Sequence, residues 1–136
     1  MVAEPVTWVD VEGAVRAWAR EAVAGVAQRV FFGWNEHAAH PQISLSRVAG
    51  PDARCLVQFD VWAAKSQGKA QAAETAAELC TVADALSRYE HEGVLLHGAR
   101  VLGSGWQPDF ESGAPRYVVD VLFFATSAGE VDEHSS

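Results

Sequence analysis

The stretch Arg54-Cys55-Leu56-Val57-Gln58-Phe59-Asp60-Val61-Trp62-Ala63 limits the possible folds of this chain more than any other. On the two-residue period of a strand, Cys55, Val57, Phe59 and Val61 share one face while Leu56, Gln58, Asp60 and Trp62 share the other, and β-branched and aromatic residues dominate. One face therefore belongs to a core and the other is mixed. A second stretch, Arg116-Tyr117-Val118-Val119-Asp120-Val121-Leu122-Phe123-Phe124, repeats the pattern, with Asp120-Val121 echoing Asp60-Val61 and an arginine leading each run. Together they predict two long strands of one sheet.

The remaining elements fall into place around these strands. Thr7-Trp8-Val9-Asp10 has the form of a helix start, and Trp8, Val11, Val15, Trp18, Ala22 and Val26 recur at steps of three or four, which predicts a helix from about residue 8 to Gly25. Val30 to Trp34 reads as a short buried strand, Asn35 to Pro41 as a loop, and Gln42 to Val48 as a strand that buries Ile43 and Leu45 and exposes its serines. Ala49-Gly50-Pro51-Asp52 is a hairpin turn by composition. After Ser66, a plausible N-cap, an alanine-rich helical pattern runs from Gln67 to about Arg88 and ends at His91-Glu92-Gly93. Val94 to Leu102 is a further strand, and Gly103 to Pro115 reads as a long loop. The result is an α+β domain over residues 1–127, with two helices and a mixed, mainly antiparallel sheet of about five strands in the order α-β-β-β-α-β-β. The acidic end, 128–136, is expected to be disordered.

Composition narrows the function. The 136 residues carry ten Lys plus Arg against eighteen Asp plus Glu, a formal charge of -8, which argues against a broad grip on nucleic acid phosphates. Cys55 and Cys80 sit among apolar neighbours and read as buried free thiols of a reducing compartment. No signal peptide or membrane span is legible, so a soluble protein that stays in the cell making it is expected.

Catalytic motifs are nearly missing. Gly103-Ser104-Gly105 lacks the full nucleophile elbow, and Gly68-Lys69 lacks the glycine spacing and hydroxyl of a phosphate loop. Glu36, His37 and His40 have no second cluster to complete a metal site, so neither metal nor cofactor is expected. Asp60 and Asp120 would form a carboxylate pair if their strands are neighbours, but acid–base work also needs a pocket and unequal environments. Apolar surface is the stronger signal. If helices cover the face of Val57, Phe59, Val61, Tyr117, Val119, Val121 and Phe123, the reverse face still holds Leu56, Trp62, Val118, Leu122 and Phe124. Either the first helix covers that surface or a partner does. Trp106, placed in the long loop, is the best single interface anchor, and the loop is expected to be mobile until it docks.

The opening helix, the proline-led Pro41-Gln42-Ile43-Ser44-Leu45, the run Val57 to Trp62 with its small-residue helix, and the closing Pro108-Asp109 through Gly113-Ala114-Pro115-Arg116 to Val121 together resemble the tail terminator (tail completion) proteins of long-tailed bacteriophages. The resemblance spans about residues 8 to 126 and rests on order and character. The acidic end and the histidine-containing loop depart from the family's pattern. It implies a structural protein without catalytic residues, a homohexameric ring that caps the tail tube, stops its polymerisation and offers a surface to the head–tail connector. DNA would pass through the ring without specific binding, and the protein would reside in the virion at the head-proximal end of the tail after assembly in the host cytoplasm. Trp106, Phe110, Arg116, Asp60, Asp120, Trp62, His37 and His40 are the candidate subunit or tube contacts. A second neck or head-completion protein is the nearest alternative, and a small α+β enzyme or ligand-binding domain the more distant one.

Overall fold

The computed structural model describes residues 10–35 and 37–127. Two helices, α1 (Val11–Ala22) and α2 (Gly68–Ala85), accompany six strands: β1 (Val30–Phe31), β2 (Gln42–Ala49), β3 (Arg54–Trp62), β4 (Tyr89–His91), β5 (Val94–Trp106) and β6 (Arg116–Ser127). They form one sheet in the order β1-β2-β3-β6-β5-β4. Only β1 and β2 pair in parallel; the other neighbours are antiparallel. The expected α+β class and its mainly antiparallel mixed sheet are what the chain adopts.

The two diagnostic runs lie side by side as β3 and β6, registered from Arg54 opposite Phe124 to Trp62 opposite Arg116. Their inward residues Cys55, Val57, Phe59, Val61, Val119, Val121 and Phe123 are all fully buried. Both helices pack on this one face: α1 contributes Val11, Ala14, Val15, Trp18 and Ala19, and α2 contributes Ala76, Leu79 and Ala83. Trp18 meets Phe123 edge-on at 5.5 Å between centroids, and Phe59 lies 6.0 Å from Phe123. Arg47 of β2 fastens α1 to the β2–β3 hairpin by reaching both Glu12 and Asp52 at 2.7 Å.

Several boundaries differ from expectation for local reasons. The residues Thr7 to Val9 of the expected helix start, and the acidic end 128–136, lie outside the described residues. Asp10 caps α1 by accepting the Gly13 N–H at 2.9 Å. The helix stops at Ala22 rather than Gly25 because the next residues form a 3-10 turn, Ala24–Val26. Glu78 of α2 caps that turn, accepting from Ala24 N at 2.9 Å and Gly25 N at 3.2 Å. A Cβ on Gly25 would stand 2.8 Å from the Glu78 carboxylate, so the glycine permits this approach. Gln67, without a side-chain bond, occupies the cap position of α2 instead of Ser66.

Strand β4 takes the place of the expected end of the second helix. Leu86 turns extended, and Glu92 and Gly93, with φ of 47° and 83°, make a two-residue hairpin that pairs β4 with β5. The predicted strand Val30–Trp34 shortens to Val30–Phe31, leaving Phe32 and Trp34 about half exposed. Ser44 is buried rather than exposed, because its Oγ accepts the indole N–H of Trp62 at 3.0 Å. Gln42, fully buried, donates to the carbonyl of Asn35 at 2.9 Å and accepts its N–H, pinning the β1–β2 connection to the sheet. Truncating the centre of this core, Phe59→Ala, is expected to lower the unfolding free energy by about 3–5 kcal/mol in urea titrations.

Candidate interaction surface

The reverse face of the sheet has no helix over it among the described residues, so covering by the first helix does not occur. On it Leu56 stands opposite Leu122, Gln58 opposite Asp120, Asp60 opposite Val118, Trp62 opposite Arg116 and Arg54 opposite Phe124. Leu56, Leu122 and Phe124 remain partly exposed. Leu102, the extra residue where the β5–β6 register shifts, is 54% exposed. The surface is thus an apolar field crossed by a polar row.

Asp60 and Asp120 belong to that row and are diagonal neighbours, since Asp120 faces Gln58. Gln58 donates to Asp60 at 3.2 Å, and Arg116 stands 3.9 Å away. Burial raises the Asp60 pKa above the usual carboxylate range, against the pull of Gln58 and Arg116, and the charge of Asp120 adds to the rise. Asp120 keeps one enclosed oxygen without a hydrogen-bond partner. The two carboxylates share the sheet face that no helix covers among the described residues. A raised pKa means that the folded chain holds this proton more tightly than the unfolded chain does. The resulting stabilisation is complete below the ordinary aspartate pKa and is lost as pH rises through the raised value. Asp60→Asn is therefore expected to raise the melting temperature by a few degrees at pH 7–8, with the gain shrinking toward pH 4 in a thermal unfolding series.

At one end of the face the aromatic residues gather. Trp62 is buried beneath Trp34, 4.6 Å away, and the Arg116 guanidinium, 5.1 Å from its ring. Arg116 is held by donating Nε to the Gln107 carbonyl at 2.8 Å. His40 lies 5.4 Å from Trp34, and burial together with Arg29 holds it below the usual histidine range. Trp34, Trp62, Asp109 and Ser112 line a shallow cleft of about 180 Å³. His37 sits apart on an exposed turn, its backbone N–H bonded to Asn35. Glu36 lies outside the described residues, and no cluster suited to a metal occurs among those described.

The loop is shorter than expected. Gly103 to Trp106 extend β5, with Gly103 opposite Asp120 and Trp106 opposite Tyr117, so Trp106 is a strand residue. Its ring packs 5.7 Å from Tyr117, with the Lys69 ammonium 5.6 Å away. The remaining tip is closed by its own bonds: Asp109 Oδ2 accepts from Ser112 N at 2.9 Å and Ser112 Oγ at 2.6 Å, while Gly113 N donates to the Asp109 carbonyl at 2.8 Å. Phe110 stands at this tip and is 99% exposed. Of the two aromatic candidates on this segment, Trp106 is partly covered and Phe110 is the exposed one. Trp106→Ala is expected to cost on the order of 1–2 kcal/mol of folding stability by denaturant titration, as loss of an intrachain contact.

Trp34, Asp109 and Ser112 were not recognised in the sequence as site residues. Asp109-x-x-Ser112 was visible as a turn-forming pair, whereas nothing local revealed that Trp34 would leave its strand and lie on Trp62. Comparison with models of protein families and with curated protein sequences returns no match.

Proposed function

We propose that this protein is a structural assembly subunit, a tail terminator of a long-tailed bacteriophage. It forms a hexameric ring on the tail tube, stops its polymerisation and offers the ring's other side to the head–tail connector. The observation that carries this reading is the uncovered sheet face, where Leu56, Leu122 and Phe124 remain partly exposed around the row of Gln58, Asp60 and Asp120. An apolar field of this kind on a small domain is a contact surface in waiting, and the polar row gives it register. The sequence's resemblance to tail terminators supplies the kind of partner. The net charge of -8 fits a ring through which DNA slides without being held.

Virions assembled without the protein decide between this role and its neighbour. Abnormally long tails identify a terminator, whereas normal tails with leaking heads identify a head-closure protein. Leu122→Lys places a charge in the middle of the bare face. The variant is expected to keep its circular dichroism spectrum and to lose at least tenfold in capping of tail tubes, counted by negative-stain microscopy.

A further inference from the structure

We propose that copies of this chain join head to tail, with Phe110 of one copy seated in the groove between the C-terminal ends of α1 and α2 of the next. This inference rests on the ring reading above for its place in assembly and supplies the contact that would build the ring.

The knob is defined by what surrounds it. Among the exposed aromatic side chains, Phe32 lies beneath Arg16 at 5.5 Å, and Trp34 packs on Trp62 and His40. Phe110 has no such cover and is 99% exposed. The turn carrying it is fixed by the Asp109, Ser112 and Gly113 bonds, so little conformational entropy remains to be lost when the ring docks.

The groove has matching size and chemistry. Trp18, Ala22, Val82, Ala85 and Leu86 supply its apolar lining, and its volume is about 350 Å³, room for a phenyl ring. Tyr89 forms one wall, its hydroxyl donating to Glu21. Charges of opposite sign stand beside the two features. Phe110 is flanked by Asp109 and Glu111, while Arg88 lines the groove and Arg20 borders the adjoining recess. Arg20 Nη2 donates to Gln28 at 3.4 Å, and among the described residues Arg88 pairs with the exposed Glu90 at 3.8 Å. Within the groove the one carboxylate, Glu21, is already engaged by Tyr89.

The two features cannot meet within one chain. The groove adjoins the start of β5, where the Leu86 carbonyl lies 3.5 Å from a Cβ built on Gly98. The knob lies beyond the other end of that strand, past Trp106, about 27 Å farther along at 3.4 Å per residue. A knob and a hole at opposite ends give a heterologous contact, which closes into a ring when the rotation between copies divides a full turn.

Cysteine crosslinking of the concentrated full chain with diamide tests the geometry. Ser87 is exposed and lines the groove. The double variant Glu111→Cys, Ser87→Cys, which keeps the Phe110 ring, is expected to crosslink into a ladder ending in a closed ring, while a mixture of the two single variants yields only a heterodimer. Glu111→Cys linking to itself would overturn the proposal in favour of a symmetric contact. So would a chain that stays uncrosslinked both free and on tail tubes. Phe110→Ala should keep its melting temperature within about a degree, because the side chain packs on nothing, and should lose tenfold or more in assembled fraction. Rings that form on tubes without the crosslink sink this contact and leave the terminator reading intact. Crosslinked rings, with normal tails in virions lacking the protein, sink the terminator reading and leave the contact intact.

Discussion

The ladder between β3 and β6 is the constraint from which the rest of the molecule follows. Nine residues of β3 pair in unbroken register with β6, so each side chain is committed to one face, and a slip of one residue would exchange core for solvent. Phe59, Val57, Val121 and Phe123 then present one continuous apolar surface, onto which α1 and α2 must both fold. With both helices spent on that side, the opposite face is left to Leu56, Leu122, Phe124 and the aspartates.

This dependence explains what was legible in the sequence. The period-two pattern of the central strands and the helical spacing of Leu79 and Ala83 are local signals, each sufficient to place its element. Strand β4 has three residues, of which Glu90 and His91 are polar, and its turn uses Glu92 in a left-handed conformation more often taken by asparagine or aspartate. The end of α1 was misread because Gly25 answers to Glu78, a residue of another helix. The position of Trp106 was misread for a related reason. Gly103 and Gly105 look like loop residues, yet opposite Asp120 and Val118 they fit a strand whose central neighbour is bulky. Of the candidate site, the bare face was readable by subtraction. The cleft at Trp34 was not, because it depends on the buried amide of Gln42 fixing a connection with no periodic pattern.

An open face of this composition must satisfy two opposed demands, solubility when free and attraction when a partner arrives. Asp60 and Asp120 serve the first. Two partly enclosed carboxylates on neighbouring strands disfavour edge-on or face-on aggregation, since any apolar body laid over them would have to desolvate them further. The burial that raises the Asp60 pKa is the same desolvation, already present in part in the isolated chain. A partner that supplied cations or hydrogen-bond donors to this row would relieve the cost, which makes the row a device of selection rather than of affinity.

The stacked cations extend that logic to the aromatics. Arg54 lies over Phe124 at 5.8 Å, Arg116 over Trp62, Arg16 over Phe32 and Lys69 over Trp106. At a solvent-exposed site such a contact contributes about 0.5–1 kcal/mol, enough to shade an aromatic ring from water yet weak enough to yield when a larger apolar surface is offered. Phe110 is the exception, fully wet and held on a turn that its own hydrogen bonds keep closed. Among these rings it alone stands between two acidic neighbours with no cation stacked on it among the described residues, so its apolar area stays in water.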